Sequence, residues 1–380
     1  MRRTKKQIRR RLWVALVTLA LLVLVGVVGA GGAAVGTGGG AVPQQTQAEQ
    51  PEQAGQSQQA GRPDQAGQQE QAGQQEQAGQ QEQAGQSQQD SADAGRPQAA
   101  GADTDGSQAL GTQAANAPPE GTLTVRFLDV GQGDSELVEL PDGKLMLIDA
   151  GTQDAGPAVV RSIRDLGRTR IDYLVATHPH ADHIGGMAEV LRDFDVGEVW
   201  APAVAANTRT FEAFLDAVED KGLTIRAGSR GKDSVAPGTA SYDVQILGPS
   251  DSLSSEDLND YSLVIRVRFG STSFLFTGDA PADEIRADAR EHVDVLKVAH
   301  HGSDTGTDAT LAAQLSPRIA VISYGIDNDY GHPTQGVLDA LAASGAQVLG
   351  TGAGGTVTVT SDGTDVTATS EREGPVVARS

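Results

Sequence analysis

Six of the seven histidines fall in short polar clusters that end or follow apolar runs, a grouping that scattered core histidines would not produce. The densest is Thr177-His178-Pro179-His180-Ala181-Asp182-His183, directly after the apolar stretch Ile171–Ala176. Three imidazoles and a carboxylate so close together suit Zn²⁺ or Mn²⁺, which take neutral His nitrogen and carboxylate oxygen. Pro179 stiffens the loop, and Gly185-Gly186 is expected to let the chain turn sharply into the next helix. A polar surface loop is the plain alternative, but chance seldom places an H-x-H-x-D-H run behind a buried strand. A second apolar run, Phe274-Leu-Phe-Thr-Gly-Asp279, ends in a carboxylate that could bridge two cations. On its own it would be weak, because Gly-Asp commonly marks a turn.

A third run, Val295-Leu-Lys-Val-Ala-His300-His301-Gly302-Ser303, delivers two adjacent histidines to a strand end. Neighbouring side chains leave the backbone in different directions, so one of the pair is expected as a ligand and the other as a substrate-facing group. The residues leave open which is which, with His301 the favoured ligand. His332, in Asp329-Tyr330-Gly331-His332-Pro333, is expected to line the same cleft. His292 lacks such surroundings and reads as a surface residue.

Composition narrows the chemistry. There is no cysteine, which excludes thiolate ligands and disulfides, so any transition-metal site must use His and carboxylates. The net charge is −21, and residues 121–380 alone carry 20 Lys and Arg against 39 Asp and Glu, a net −19. Such a surface is soluble and repels nucleic acid at long range. Arg161, Arg164, Arg168 and Arg170 could form a local basic strip, although a solvated helix face is the plainer account.

Three regions are expected along the 380 residues. Residues 1–35 combine seven basic residues with an apolar run, Leu12 to Val28, and read as a transmembrane anchor or a cleaved signal peptide. Residues 36–120 are rich in Gln, Ala and Gly, with a six-residue repeat beginning at Gln65, Gln71 and Gln77. Without apolar positions such a repeat cannot stack, so a disordered linker is expected. Residues 121–380 suffice for one large domain. Within it, strands are expected at Leu123–Val130, Leu137–Leu140, Lys144–Asp149, Ile171–Ala176, Val196–Trp200, Tyr242–Leu247, Ser262–Phe269, Ser273–Thr277, Val293–Ala299, Ile319–Ser323, Val348–Thr360 and Val366–Thr369. Helices are expected at Gly156–Leu166, Gly186–Phe194, Phe211–Glu219, Asp308–Leu315 and Gln335–Ala343. This mixture is α/β, sheets covered by helices.

The His178-x-His180-x-Asp182-His183 run, Asp149 at a strand end, Asp279 and the His300-His301 pair resemble the successive motifs of the metallo-β-lactamase superfamily. Phe127-Leu-Asp129-Val-Gly-Gln132-Gly-Asp134, Thr177–Gly186, Phe276-Thr-Gly-Asp279, Val295–Ser303 and Tyr330-Gly-His332-Pro333 are similar to the hydrolase domain of ComEC-type competence proteins. The resemblance implies a four-layer αββα sandwich with metals, two Zn²⁺ or alternatively Mn²⁺, at the strand ends. It implies one cation on His178, His180 and Asp279, and another on Asp182, His183, Asp279 and one of His300 and His301. Asp149 would orient the His loop, and Asp129, Gln132 and Asp134 would belong to a supporting or substrate loop. Asp182, His300 and His332 are the candidate catalytic groups. Many superfamily members carry a further ligand histidine, yet none occurs here between His183 and His292; Asn259 or Asp260 is expected in its place. The implied activity is hydrolysis of a phosphodiester such as DNA, outside the cytoplasmic membrane or secreted, with no particular protein partner. Hydrolysis of a lactone, thioester or β-lactam on the same fold, or a surface protein with purely structural metals, are the rival expectations.

Overall fold

Alternation along the strands decides the layering. Leu123, Val125 and Phe127 of strand β1 (Leu123–Phe127) are buried on one face, whereas β3 (Leu145–Ile148) and β12 (Ile319–Ile322) are buried throughout. A strand buried on both faces must lie between two other layers. The computed structural model describes residues 120–231, 233–236 and 241–376. The anchor or signal expected over 1–35 and the linker expected over 36–120, Glu120 aside, lie outside the described residues. No helix of the described residues is long and apolar enough to cross a membrane.

Two mixed sheets form the body. The first also contains β2 (Glu136–Glu139), β4 (Arg170–Val175), β5 (Asp195–Ala201), β6 (Ile225–Ala227), β14 (Val357–Ser361) and β15 (Val366–Ser370), in the order β15-β14-β1-β2-β3-β4-β5-β6. The second also contains β7 (Ser234–Ala236), β8 (Tyr242–Gly248), β9 (Val264–Phe269), β10 (Thr272–Phe276), β11 (Val295–Lys297) and β13 (Gln347–Gly350), in the order β13-β12-β11-β10-β9-β8-β7. In each sheet one half is antiparallel, while β3 to β6 and β10 to β13 run parallel. Phe127, Ile148 and Val175 meet Ile265, Phe274 and Phe276 between the sheets, with the Phe127 and Phe276 rings stacked at 6.1 Å.

Helices close both outer faces. Helices α1 (Gly156–Asp165), α3 (Met187–Asp193) and α4 (Arg209–Asp220) lay Val159, Ile163, Val190 and Phe214 on Leu147 and Leu174. On the other side α5 (Ala282–Asp288), α6 (Ala309–Leu315) and α7 (Gln335–Ala343) lay Ile285, Leu311 and Val337 on Leu275 and Leu296. The order is therefore helix, sheet, sheet, helix, the α/β architecture anticipated.

The structure departs from the expected elements in instructive places. Val348–Thr360 is not continuous: β13 stops at Gly350, the one-turn helix α8 (Thr351–Gly354) intervenes, and β14 joins the other sheet. A Cβ at Gly350 or Gly352 would lie 2.6 or 2.8 Å from the buried Tyr324 ring, so the glycines let the crossing chain pack against that ring. Val293–Ala299 shortens to Val295–Lys297 because the backbone breaks into a tight turn at the histidine pair. The three-residue strands β6 and β7 were not anticipated; so short a run carries too little alternation to register.

Candidate metal centre

Parallel strands carry their C-terminal ends to one rim, and four of them deliver the polar clusters there. Asp149 follows β3, the His loop follows β4, Asp279 follows β10, and the histidine pair follows β11. Asp182 and His183 sit on a single helical turn, α2 (Ala181–Ile184), with His180 just before it. Among the described residues four non-glycines have positive φ, and three of them are Asp149 (53°), His300 (50°) and His301 (55°). Side chains resist that conformation, and residues held in it concentrate at functional sites. Gly185 and Gly186, by contrast, have ordinary helical φ of −58° and −79°. Close approach rather than a sharp turn requires them: a Cβ would come within 2.3 Å of Gln153 N or Ala150 O. Backbone bonds from Ala150 N to His183 O (2.7 Å) and from Asp134 N to Asp182 O (3.1 Å) lock the loops together.

The expected ligands converge. Oδ2 of Asp279 lies 3.2 Å from His183 Nε2, 3.6 Å from His301 Nε2, 3.7 Å from His300 Nε2 and 3.9 Å from His178 Nε2. Asp182 Oδ2 is 3.3 Å from His301 Nε2, and His178 Nε2 is 3.0 Å from His180 Nδ1. Tetrahedral Zn²⁺ with bonds of about 2.0–2.1 Å separates its ligand atoms by about 3.3 Å, so these spacings suit cation coordination. Ligand atoms from Asp182, His183, Asp279 and His301 all lie within 4.8 Å of one another. His183 Nε2, His301 Nε2 and Asp279 Oδ1 are buried without a hydrogen-bond partner. Such orphaned polar atoms are costly unless something binds them, and a divalent cation, displacing the imidazole protons, fits.

Burial and charge oppose each other at the site. Burial resists ionisation of Asp279, but His183 and His301 outweigh it and hold the carboxyl well below its usual range. Burial likewise resists protonation of His301, but Asp279 and Asp134 push it up to about 10. His178 goes the other way: burial, reinforced by His183, keeps it well below the usual imidazole range and neutral.

The supporting groups are equally definite. Asp149 accepts from Thr177 N (2.8 Å) and Thr177 Oγ1 (2.6 Å) and lies 2.7 Å from His183 Nδ1. A carboxylate on the remote ring nitrogen fixes the imidazole and points Nε2 at the cation position. Asp134 is 2.5 Å from Lys297 Nζ and 3.3 Å from His301 Nδ1, whose other neighbour is Ser323 O at 3.0 Å. Asp134, Asp149 and His183 also cluster closely, but Lys297 pairs with Asp134 Oδ2 and Thr177 donates to Asp149, while Asp134 Oδ1 faces His301 Nδ1. Lys297 was missed in the sequence, where it reads as an interruption of an apolar strand; it is 1% exposed. Burial opposes its charge, but Asp134 and Glu136 raise its pKa. Glu136, buried beside Asp134, is pushed well above its usual range by burial first and by that neighbouring charge second.

Around the centre opens a cleft of about 300 Å³ lined by Gln132, Asp182, Asn259, His300, Tyr330 and His332, among others. Gln132 Oε1 accepts from Gly325 N at 3.1 Å, and the His332 and His300 rings meet at 5.7 Å. Asn259, not Asp260, reaches the cleft; its Oδ1 is buried and unpartnered, whereas Asp260 accepts from Ser255 Oγ at 2.5 Å. Asp129 stands apart, accepting from Arg372 at 3.0 Å and Gly131 N at 3.4 Å, and so braces the loop base. His292 is 55% exposed, as expected. Arg164, Arg168 and Arg170 pair with Asp193, Glu139 and Asp172, so neighbouring carboxylates offset the arginine strip.

The chain is 29% identical over 254 residues to ComE operon protein 3 of Bacillus subtilis, covering 61% of this chain and 32% of that protein. It is 32% identical over 247 residues to Recombination protein 2 of Haemophilus influenzae, covering 63% and 29%. It thus spans about a third of the length of the relatives it matches. Among solved structures, the metallo-beta-lactamase fold protein YhfI of Bacillus subtilis is 13% identical with a TM-score of 0.41, covering 60% of this chain and 96% of that one. The profile of the metallo-beta-lactamase superfamily matches residues 128–326, which contain every candidate ligand, and the chain belongs to that superfamily of metal-dependent hydrolases.

Proposed function

We propose that the domain is a dinuclear phosphodiesterase of ComEC type, with DNA as its substrate and zinc as its metal. The observation that carries this reading is the meeting of Asp182, His183, Asp279 and His301 around orphaned polar atoms at the floor of an open cleft. His178 and His180 form the second half-site, with Asp279 between the two. When bound, divalent ions there supply Lewis acidity toward a phosphoryl oxygen and lower the pKa of water toward about 7. The chain's own groups do the rest. Asp279 and Asp182 supply negative charge that holds the cations, and Asp149 and Asp134 keep the His183 and His301 rings aimed. His300 and His332 flank the open side, and burial lowers the pKa of both, which favours the neutral imidazole beside a substrate oxygen.

Among the described residues no lysine or arginine lines the cleft, so charge neutralisation of the substrate there falls to the bound cations. One relative's name speaks of recombination, which directs the choice of phosphodiester to DNA. The basic flank and apolar run of residues 1–35 support an action outside the cytoplasmic membrane, with the domain either anchored or released.

The test uses the full chain. Bound metal is counted, and single-stranded DNA, bis-(p-nitrophenyl) phosphate and nitrocefin are offered. Asp182→Ala is expected to abolish phosphodiester turnover while leaving the circular dichroism spectrum unchanged. Activity that survives this change places the centre elsewhere. Nitrocefin cleavage without phosphodiesterase activity favours the β-lactam or lactone reading, and bound metal without any turnover favours a structural role.

A further inference from the structure

The exposed large hydrophobic residues of the described chain are two, Ile326 at 43% and Tyr330 at 69%, and both stand on the loop that borders the cleft. Their exposure is not a consequence of slack. The Asn328 side chain donates to Gly325 O (2.7 Å) and His332 O (2.6 Å) and accepts from Tyr330 N (3.1 Å) and His332 N (3.2 Å). Gln132 ties the loop base to the opposite wall through Gly325 N. The Tyr330 ring lies nearly parallel to His332, 21° between planes and 6.0 Å between centroids. One ring face is thus backed by the cleft wall, and the rest remains open to solvent.

A solvent-facing aromatic ring on a hydrogen-bonded loop beside the candidate centre leaves apolar surface in water that a flat partner would cover. We propose that Tyr330 is a stacking platform for a nucleobase next to the scissile phosphate, and that it selects single-stranded over duplex nucleic acid. The inference rests on the phosphodiesterase reading above. Charge supports it. The domain carries a net −19, and among the described residues no lysine or arginine lines the cleft to pair with a phosphate backbone, so stacking on the bases is the affinity the cleft itself offers beside the cations. In a duplex the base faces are already stacked on one another, and only a single strand can offer one to Tyr330.

The full chain, loaded with Zn²⁺, is tested on a short oligodeoxythymidylate, the same oligomer with one abasic site moved along it, and the corresponding duplex. Tyr330→Ala is expected to raise KM for the single strand about 5- to 150-fold, the span that stacking of one base on one ring supports. An abasic site at one position should cost the wild type a similar factor and cost Tyr330→Ala little more, while Tyr330→Phe retains the wild-type KM. Losses that multiply, or equal losses for single strand and duplex, overturn the platform and leave the hydrolase reading standing. A wild type that cleaves no phosphodiester sinks both. The residue is exposed, so its truncation should not impair folding.

Discussion

The buried ion pair beneath the candidate centre offers the sharpest test of the electrostatic reading. Lys297 and Asp134 are each 1% exposed, and their charged atoms are 2.5 Å apart. Lys297→Met keeps most of the volume but leaves the Asp134 carboxylate buried among Glu136, Asp149 and the histidines. Breaking a buried pair by removing one partner costs about 3–5 kcal/mol. For a domain of this size, each kcal/mol moves the melting midpoint by about 2 °C, so the metal-free variant should melt about 6–10 °C below the wild type. The pH dependence has a defined sign. The Asp134 pKa is lowered, so its contribution is present above about 3.9, the unfolded value, and fades as pH falls through the folded one. The Lys297 pKa is raised, so its contribution is present below about 10.4 and fades as pH rises through its folded value. The gap between wild type and variant should therefore stay flat from about pH 5 to 10 and shrink outside it. Thermal unfolding followed by circular dichroism in chelator measures this, and adding Asp134→Asn to the variant should restore most of the loss. A variant that melts within about 2 °C of the wild type, or a double variant less stable than the single one, refutes the reasoning.

Three further substitutions separate ligands from their supports. Asp149→Asn keeps the shape but removes the carboxylate 2.7 Å from His183 Nδ1, and cation affinity should fall about 10- to 100-fold in a competition titration with a chromophoric chelator. Unchanged affinity would show that Asp149 does not orient His183. His301→Ala and His300→Ala should differ in kind: the first lowers the bound-metal count, while the second retains it and slows phosphodiester turnover by about 100-fold or more. Metal loss from His300→Ala alone would reverse the two roles, since His301 is buried and His300 is 27% exposed.

Much of the site was legible because it is local. The H-x-H-x-D-H spacing puts four candidate ligands in one loop, and apolar alternation marks the strands that end there, so proximity along the chain predicts proximity in space. Asp279 and the histidine pair were readable for a related reason: a carboxylate or imidazole closing an apolar run must sit at a strand end. What lay beyond reach was every relation between strands of different sheets. Lys297 looks like a flaw in an apolar strand until folding brings Asp134 against it. The sequence order of His300 and His301 cannot tell which ring turns inward; the positive φ of both residues and the bond to Ser323 O decide it. Asp129 and Asp134 share one motif, yet one braces the loop against Arg372 while the other supports His301. Spacing records which side chains leave a given strand together, whereas the partner of a buried charge is chosen only when distant segments lose their water to each other.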